Sequence, residues 1–208
     1  MGRGAQHRSP LGNASDQQAW SHLMTQAGPQ DRWVFGYGSL MWRPGFPYVE
    51  RQRAVLYGRR RAFCIYSVYH RGVPEAPGLV LGLAPGGSVR GVAFRVAAAD
   101  WPATWDYLLQ REQPTETYLE AWSEVRLADR RRVRSLVFVS DMHHPQWAGA
   151  LDLDSQARLI AGSEGLSGRN VDYLRDLVAH LREEQVRDRA MELLLEKVEI
   201  LEEASSVP

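Results

Sequence analysis

Two stretches of this chain carry residue types that could do chemistry together. The first is WVFGYGSLMW, residues 33–42, where Gly36, Gly38 and Ser39 interrupt an apolar, aromatic run. Glycines at 36 and 38 permit positive φ and let backbone come close to a ligand. Successive main-chain N–H groups can form a concave anion site there, and the Ser39 hydroxyl adds a donor. An ordinary turn or bulge in a sheet has the same composition, so both readings stand. A dinucleotide fingerprint is excluded, because the third glycine and the following helical pattern are missing.

The second stretch is LLQREQPTETY, residues 108–118. Glu112 follows Leu108 and Leu109 where a predicted helix ends. A carboxylate leaving an apolar face loses water, which raises its pKa. Such a group can serve as general base and then general acid near neutral pH. The competing reading is a solvated glutamate paired with Arg111, the common state of this residue type.

Other chemistry-bearing residues are weaker candidates. Arg71, beside His70 in HRGVPEAPG, can clamp a carboxylate through two parallel hydrogen bonds, or can belong to a solvent loop. His143 and His144 are adjacent, so in extended backbone they face opposite sides and make a poor metal pair. Cys64 has no activating histidine beside it in sequence and reads as a small buried hydrophobe. The runs Arg59-Arg60-Arg61 and Arg130-Arg131-Arg132 read as solvated turns. Neither a GxSxG elbow nor a P-loop occurs.

The elements that must position these residues follow from periodicity. WVFGY reads as a short buried strand, and residues 54–67 as one long bent strand or two. Residues 68–78 form a loop rich in proline and glycine. GLVLGLA and VRGVAFRVA flank Pro85-Gly86-Gly87-Ser88, which predicts a hairpin. A helix is expected from Trp101-Pro102, capped by Asp100 and ended near Glu112 by Pro114. YLEAWSEVRLA and RVRSLVFVS predict a strand pair joined through Asp129. A short helix covers SQARLIA, and after Ser167-Gly168-Arg169-Asn170 one long amphipathic helix is predicted to about Glu203. Strands, one embedded helix, more strands and then helices indicate an α+β fold. A regular βαβ alternation is absent, which argues against a doubly wound nucleotide fold. Residues 1–30, with a helix hint only at AWSHLM, are expected to form a mobile N-terminal arm, and residues 31–205 one domain.

Composition bounds the partners. The chain has 208 residues, a 44% hydrophobic fraction, and 25 basic against 25 acidic side chains. That is enough apolar material for a core, and a formal charge of zero gives no global reason to expect nucleic acid or an anionic membrane. One cysteine permits no internal disulfide and no thiolate zinc cluster. The first ten residues lack the apolar stretch of a signal peptide, and Gln6 stands where a myristoylation signal needs Ser or Thr. No run reaches bilayer-spanning length. The expectation is a soluble, cytoplasmic protein.

Taken together, WVFGYGSLMW, FPYVE, AFCIYS, HRGVPEAPGLVLGL, GVAFRV, YLLQRE and SGRNVDYL resemble the ChaC-type glutathione-specific γ-glutamylcyclotransferases, in the family's order, from Trp33 to about Leu181. The resemblance implies a small mixed barrel-like sheet surrounded by helices. It implies a lyase that cleaves glutathione into 5-oxoproline and Cys-Gly without cofactor or metal. By position, Tyr37-Gly38-Ser39-Leu40, flanked by Gly36 and Met41, corresponds to the loop that cradles the γ-glutamyl group, and Glu112 to the catalytic glutamate. Arg71 and Tyr118 are expected to line the substrate site. Many relatives carry Gly-Gly-Tyr shortly after the glutamate, and here the stretch reads Glu116-Thr117-Tyr118. Two rival functions share the fold: a cyclotransferase for another γ-glutamyl amine or peptide, and a non-catalytic binding module.

Overall fold

A computed structural model describes residues 30–112 and 117–205. The N-terminal arm and AWSHLM segment expected at 1–30 therefore lie outside the described residues except for residue 30, as does Glu116.

Among the described residues, five strands close into a barrel in the order β1-β3-β2-β4-β5. They are β1 (Arg32–Gly36), β2 (Glu50–Ser67), β3 (Gly78–Val96), β4 (Tyr118–Leu127) and β5 (Arg132–Ser140). The seam is parallel, with Trp33 opposite Ser135 and Val34 opposite Leu136, while every other pairing in the barrel is antiparallel. Among the described residues, four helices lie outside it: α1 (Trp101–Glu112), α2 (Leu153–Ala161), α3 (Asn170–Glu183) and α4 (Arg189–Ser205). A small ladder of β6 (Glu164–Gly165) and β7 (Gly168–Arg169) precedes α3. This is the α+β barrel architecture expected from the sequence.

Alternation explains the barrel interior, since side chains at i and i+2 share one face of a strand. Phe35, Phe63, Phe94 and Phe138 are fully buried and come from four different strands. One contiguous core joins them to Leu174, Leu177 and Leu181 of α3 and to Leu194 and Val198 of α4. Burying a side chain of this size contributes about 1.5–3 kcal/mol, so this core is the main support of the site. Among the described residues, no helix is long and apolar enough to cross a membrane.

Three expectations need correction. Pro85-Gly86-Gly87-Ser88 is no hairpin turn: β3 runs through it, still paired with β2, from Tyr57–Ser88 to Arg59–Pro85. The extra length is taken up as a bulge by Gly86 (φ +89) and Gly87 (φ +72), conformations glycine adopts without a Cβ penalty. The C-terminal segment is two helices, because the chain reverses at residues 184–188, where Gln185 has φ 57. Asp188 restarts the helix by accepting from Met191 N–H at 3.3 Å. Arg61 is not a solvated turn residue but is 4% exposed within β2.

Candidate active site

The loop after β1 is a single tight turn. Residues 39–41 form a 3-10 turn, with Met41 N–H on Gly38 O at 2.9 Å and Arg43 N–H on Ser39 O at 2.8 Å. The N–H groups of Ser39 and Leu40 precede these bonds and have no carbonyl within the turn. Leu40 and Met41 bury their side chains in the core, so what residue 40 offers a ligand is main chain. Met41 N–H is already used within the turn.

The glycines are required by close packing rather than by positive φ. Gly38 has φ −128, and Gly36 is not among the positive-φ residues. A Cβ on Gly36 would stand 2.9 Å from Leu40 Cβ, and one on Gly38 3.0 Å from Leu81 Cδ2. On the other side, a Cβ on Gly91 of β3 would come within 2.2 Å of Gly36 O. The loop is thus folded against its own strand neighbours before any ligand is considered.

Helix α1 delivers Glu112 to this loop. Trp101, Thr104 and Leu108 bury one face of the helix against the barrel, which places its last turn beside the 39–41 segment. Arg111 makes the connection: Nη2 donates to Ser39 Oγ at 2.9 Å, Nη1 to Tyr107 Oη at 2.8 Å and also to Arg43 O, and Nε lies 3.0 Å from Glu112 Oε1. The Glu112 side chain is 19% exposed. Burial raises its pKa above the usual carboxylate value, with the Arg111 charge and hydrogen bond acting the other way.

Three tyrosines share this neighbourhood. The Glu112 charge raises the pKa of Tyr37, Tyr118 and Tyr173, in each case after burial itself. Tyr37 and Tyr118 sit well above the usual tyrosine range and Tyr173 is pushed up to about 12, so all three are neutral phenols at physiological pH. Tyr118 Oη donates to Leu81 O at 2.7 Å, and Tyr173 is hydrogen-bonded to the backbone of the same residue. The Arg71 guanidinium lies 5.3 Å from the Tyr173 ring centroid and donates to Arg169 O at 3.2 Å.

The segment Ser167–Tyr173 shows why its residues are spaced as they are. Asn170 is 0% exposed and pairs with Leu79 like a strand neighbour, accepting from its N–H at 2.7 Å and donating to its C=O at 2.8 Å. One helical turn later, Tyr173 meets Leu81, two residues on in β3 and on the same strand face. His70 Nδ1 and Ser167 Oγ, 2.9 Å apart, hold the Arg71 loop against this turn.

The structure therefore brings together Gly36, Tyr37, Gly38, Ser39, Leu40, Glu112 and Tyr118, while Arg71 reaches this group only through the Tyr173 ring. Met41 lies beneath this group in the core. Sequence reasoning named Arg111 only as the partner of a solvated Glu112, a pairing the structure contains, and gave no site role to Arg61 or Tyr173. For Arg61 a signal was present: in a strand it shares a face with Phe63. Cys64 is buried, with Sγ 3.6 Å from Ser140 Oγ, and burial raises its thiol pKa to about 11. His143 and His144 lie in the turn after β5.

Residues 32–201 match the family model described as ChaC-like protein. The chain is 36% identical over 191 residues to the glutathione-specific gamma-glutamylcyclotransferase of Escherichia coli (strain K12), covering 90% of this chain and 83% of that one. It is 33% identical over 160 residues to glutathione-specific gamma-glutamylcyclotransferase 1 of Danio rerio, covering 75% and 82% of the two chains. Among solved structures, the selenomethionine-labelled yeast gamma-glutamyl cyclotransferase specific to glutathione superposes with a TM-score of 0.72 at 25% identity, covering 81% of this chain and 96% of that one. With a family model matched over most of its length and relatives above 30% identity, this chain belongs to the ChaC-like protein family.

Proposed function

We propose that this protein is a γ-glutamylcyclotransferase that cleaves glutathione into 5-oxoproline and cysteinylglycine. The observation that carries the reading at the level of chemistry is the placement of a desolvated carboxylate, Glu112, beside the turn at residues 37–40. Arg111 ties the two together. The relatives' shared activity supports the same conclusion.

The substrate's own α-amine is the nucleophile and its γ-carbonyl carbon the target. Their bond closes a five-membered ring, so the protein's first task is to fold the glutamyl chain until the two atoms are about 3–3.5 Å apart. The N–H groups of Ser39 and Leu40, with the Ser39 hydroxyl, would hold the glutamyl oxygens and stabilise the tetrahedral oxyanion. The neutral phenols of Tyr118 and Tyr173 add polar groups that do not repel an anionic substrate. Arg71 is the cation available for a substrate carboxylate.

Glu112 carries the protons. The α-ammonium becomes a lactam N–H and loses two protons, while the departing amide nitrogen becomes the ammonium of cysteinylglycine and gains two. One carboxylate can take and return them one at a time, since the steps are sequential. Once the new carbon–nitrogen bond is complete, the tetrahedral intermediate collapses and the bond to cysteine breaks, and no water is consumed. A cytoplasmic location belongs to the same proposal, because that reducing compartment holds glutathione.

The test is incubation of purified protein with glutathione and, separately, with γ-glutamyl amino acids and γ-glutamyl amines, followed by mass spectrometry. Release of 5-oxoproline and cysteinylglycine from glutathione supports the proposal. Release from another γ-glutamyl compound alone would reassign the substrate, and release from none would leave a binding module of this fold.

A further inference from the structure

The end of α3 and the turn that follows it, residues 180–188, touch neither Glu112 nor Ser39 in any described contact, yet they grip the 37–42 loop at three places. Arg61, buried in β2, donates from Nε to Tyr37 O at 2.8 Å and from Nη2 to Arg90 O at 2.8 Å. Its Nη1 meets Asp188 Oδ2 at 2.5 Å. Arg51 Nη2 spans Met41 O, at 3.4 Å, and the Glu184 carboxylate. The Trp42 ring stacks on His180 with centroids 4.2 Å apart and planes 24° apart. Two arginines of one strand and one ring stack therefore connect the loop to residues 180–188.

From this geometry we infer that Asp188 is a positioning residue for the substrate loop, acting through Arg61. The inference rests on the functional reading above only for its kinetic readout. The physical chain is short. A trans peptide sets its N–H antiparallel to its C=O. Anchoring Tyr37 O on Arg61 therefore turns Gly38 N–H the opposite way and fixes the peptide plane from which the 3-10 turn starts. Arg61 cannot hold that position alone. Its side chain is 1% exposed, and an unpaired guanidinium there would be driven towards water. Asp188, 19% exposed at the edge of the fold, supplies the missing charge. Asp188 also caps α4 through its other oxygen, so the geometry of the helix restart and that of the loop are set by one carboxylate.

The two duties can be separated. Asp188→Asn keeps the Oδ1 acceptor for the cap, and asparagine caps as well as aspartate. It replaces Oδ2 with an amide donor facing the Arg61 donor. The expected result is about a tenfold rise in KM for glutathione, equal to about 1.4 kcal/mol of binding, with a smaller fall in kcat. Amide exchange in peptides covering residues 37–42 should rise about fivefold or more, as a locally loosened segment requires, while β1 residues 33–35 stay protected. Arg182→Gln is the control. It removes an ion pair with Glu192 that joins the same two helices but reaches no loop residue, and it should change neither readout.

The double variant Arg61→Met/Asp188→Ser guards against simple loss of stability. It leaves no unpaired buried charge and retains a capping hydroxyl, so melting temperature should recover relative to Asp188→Asn. Loop exchange and KM should stay raised, because Tyr37 O has lost its donor. Wild-type loop exchange in Asp188→Asn, or full recovery of both readouts in the double variant, overturns the proposal. Failure of the wild-type protein to turn over any γ-glutamyl compound would instead sink the functional reading, and the exchange data would still decide the role of Asp188.

Discussion

Arg111 stands 2.9 Å from Ser39, a residue 72 positions away in sequence, and through that contact the end of α1 is fixed to the turn after β1. The same guanidinium lies 3.0 Å from Glu112. One arginine thus sets the distance between the proposed acid–base group and the proposed main-chain donors, and several consequences can be measured.

Glu112→Gln removes the proposed proton carrier but keeps size and shape. Turnover should fall by about 10²–10⁴-fold, the usual worth of a positioned acid–base group, with KM changed by only a few-fold. Assay of 5-oxoproline release beside circular dichroism checks both halves. A purified, folded variant with near-normal kcat would remove Glu112 from the mechanism.

The stability of that variant carries its own sign. Burial raises the Glu112 pKa in the folded chain, so the folded state holds this proton more tightly than the unfolded state does. Wild-type stability therefore loses ground as pH rises from the ordinary carboxylate pKa through the raised one. Glu112→Gln lacks this loss, so its unfolding free energy should improve relative to wild type across that window and then level off. Urea titrations at a series of pH values would reveal it, and the opposite trend would contradict a desolvated carboxylate.

Arg111→Met should move the acid limb of the kcat/KM profile to higher pH. Arg111 is what opposes burial at Glu112, and without it the carboxyl stays protonated, and unable to accept a proton, over a wider range. Arg111→Lys should fall between the two, since lysine keeps the charge and loses the fork that reaches Ser39. An unmoved acid limb in both variants would mean that another group controls it.

Asn170→Leu should be among the costliest single changes in α3. It strips the N–H and the C=O of Leu79 of their partner at once, in a fully buried place. At 1–3 kcal/mol per unsatisfied group, about 3 kcal/mol is expected. For a chain of this length that corresponds to a melting temperature lower by roughly 6–12 °C. Scanning calorimetry would decide; a shift under 1 °C would mean that Leu79 finds other partners.

Much of the fold was legible because periodicity is a local property. The strand pairs and the end of α1 near Glu112 followed from alternation, apolar spacing and Pro114. Glu112 and the glycine loop stood out as unusual types in apolar surroundings, although only the resemblance joined them. What sequence could not give was the partner of each polar group. Pro85-Gly86-Gly87-Ser88 has the composition of a hairpin, and only the continuing contact with β2 makes it a bulge. Arg61 looked like one of three surface arginines until Asp188, 127 positions away, supplied its counter-charge. Buried charges are read from who faces them, and that is fixed by topology rather than by neighbours in the chain.

The parallel seam between β1 and β5 has a kinetic corollary. Residues 33 and 135 must meet to seal it, and such distant pairings are slow to form. The turn that holds Ser39 leaves directly from the sealing strand, so its final position is set only when both edges of β1 are paired. Refolding chains should stay inert until the last edge zips shut, and catalytic competence should then appear with the rate constant of that closure rather than with the faster growth of helices.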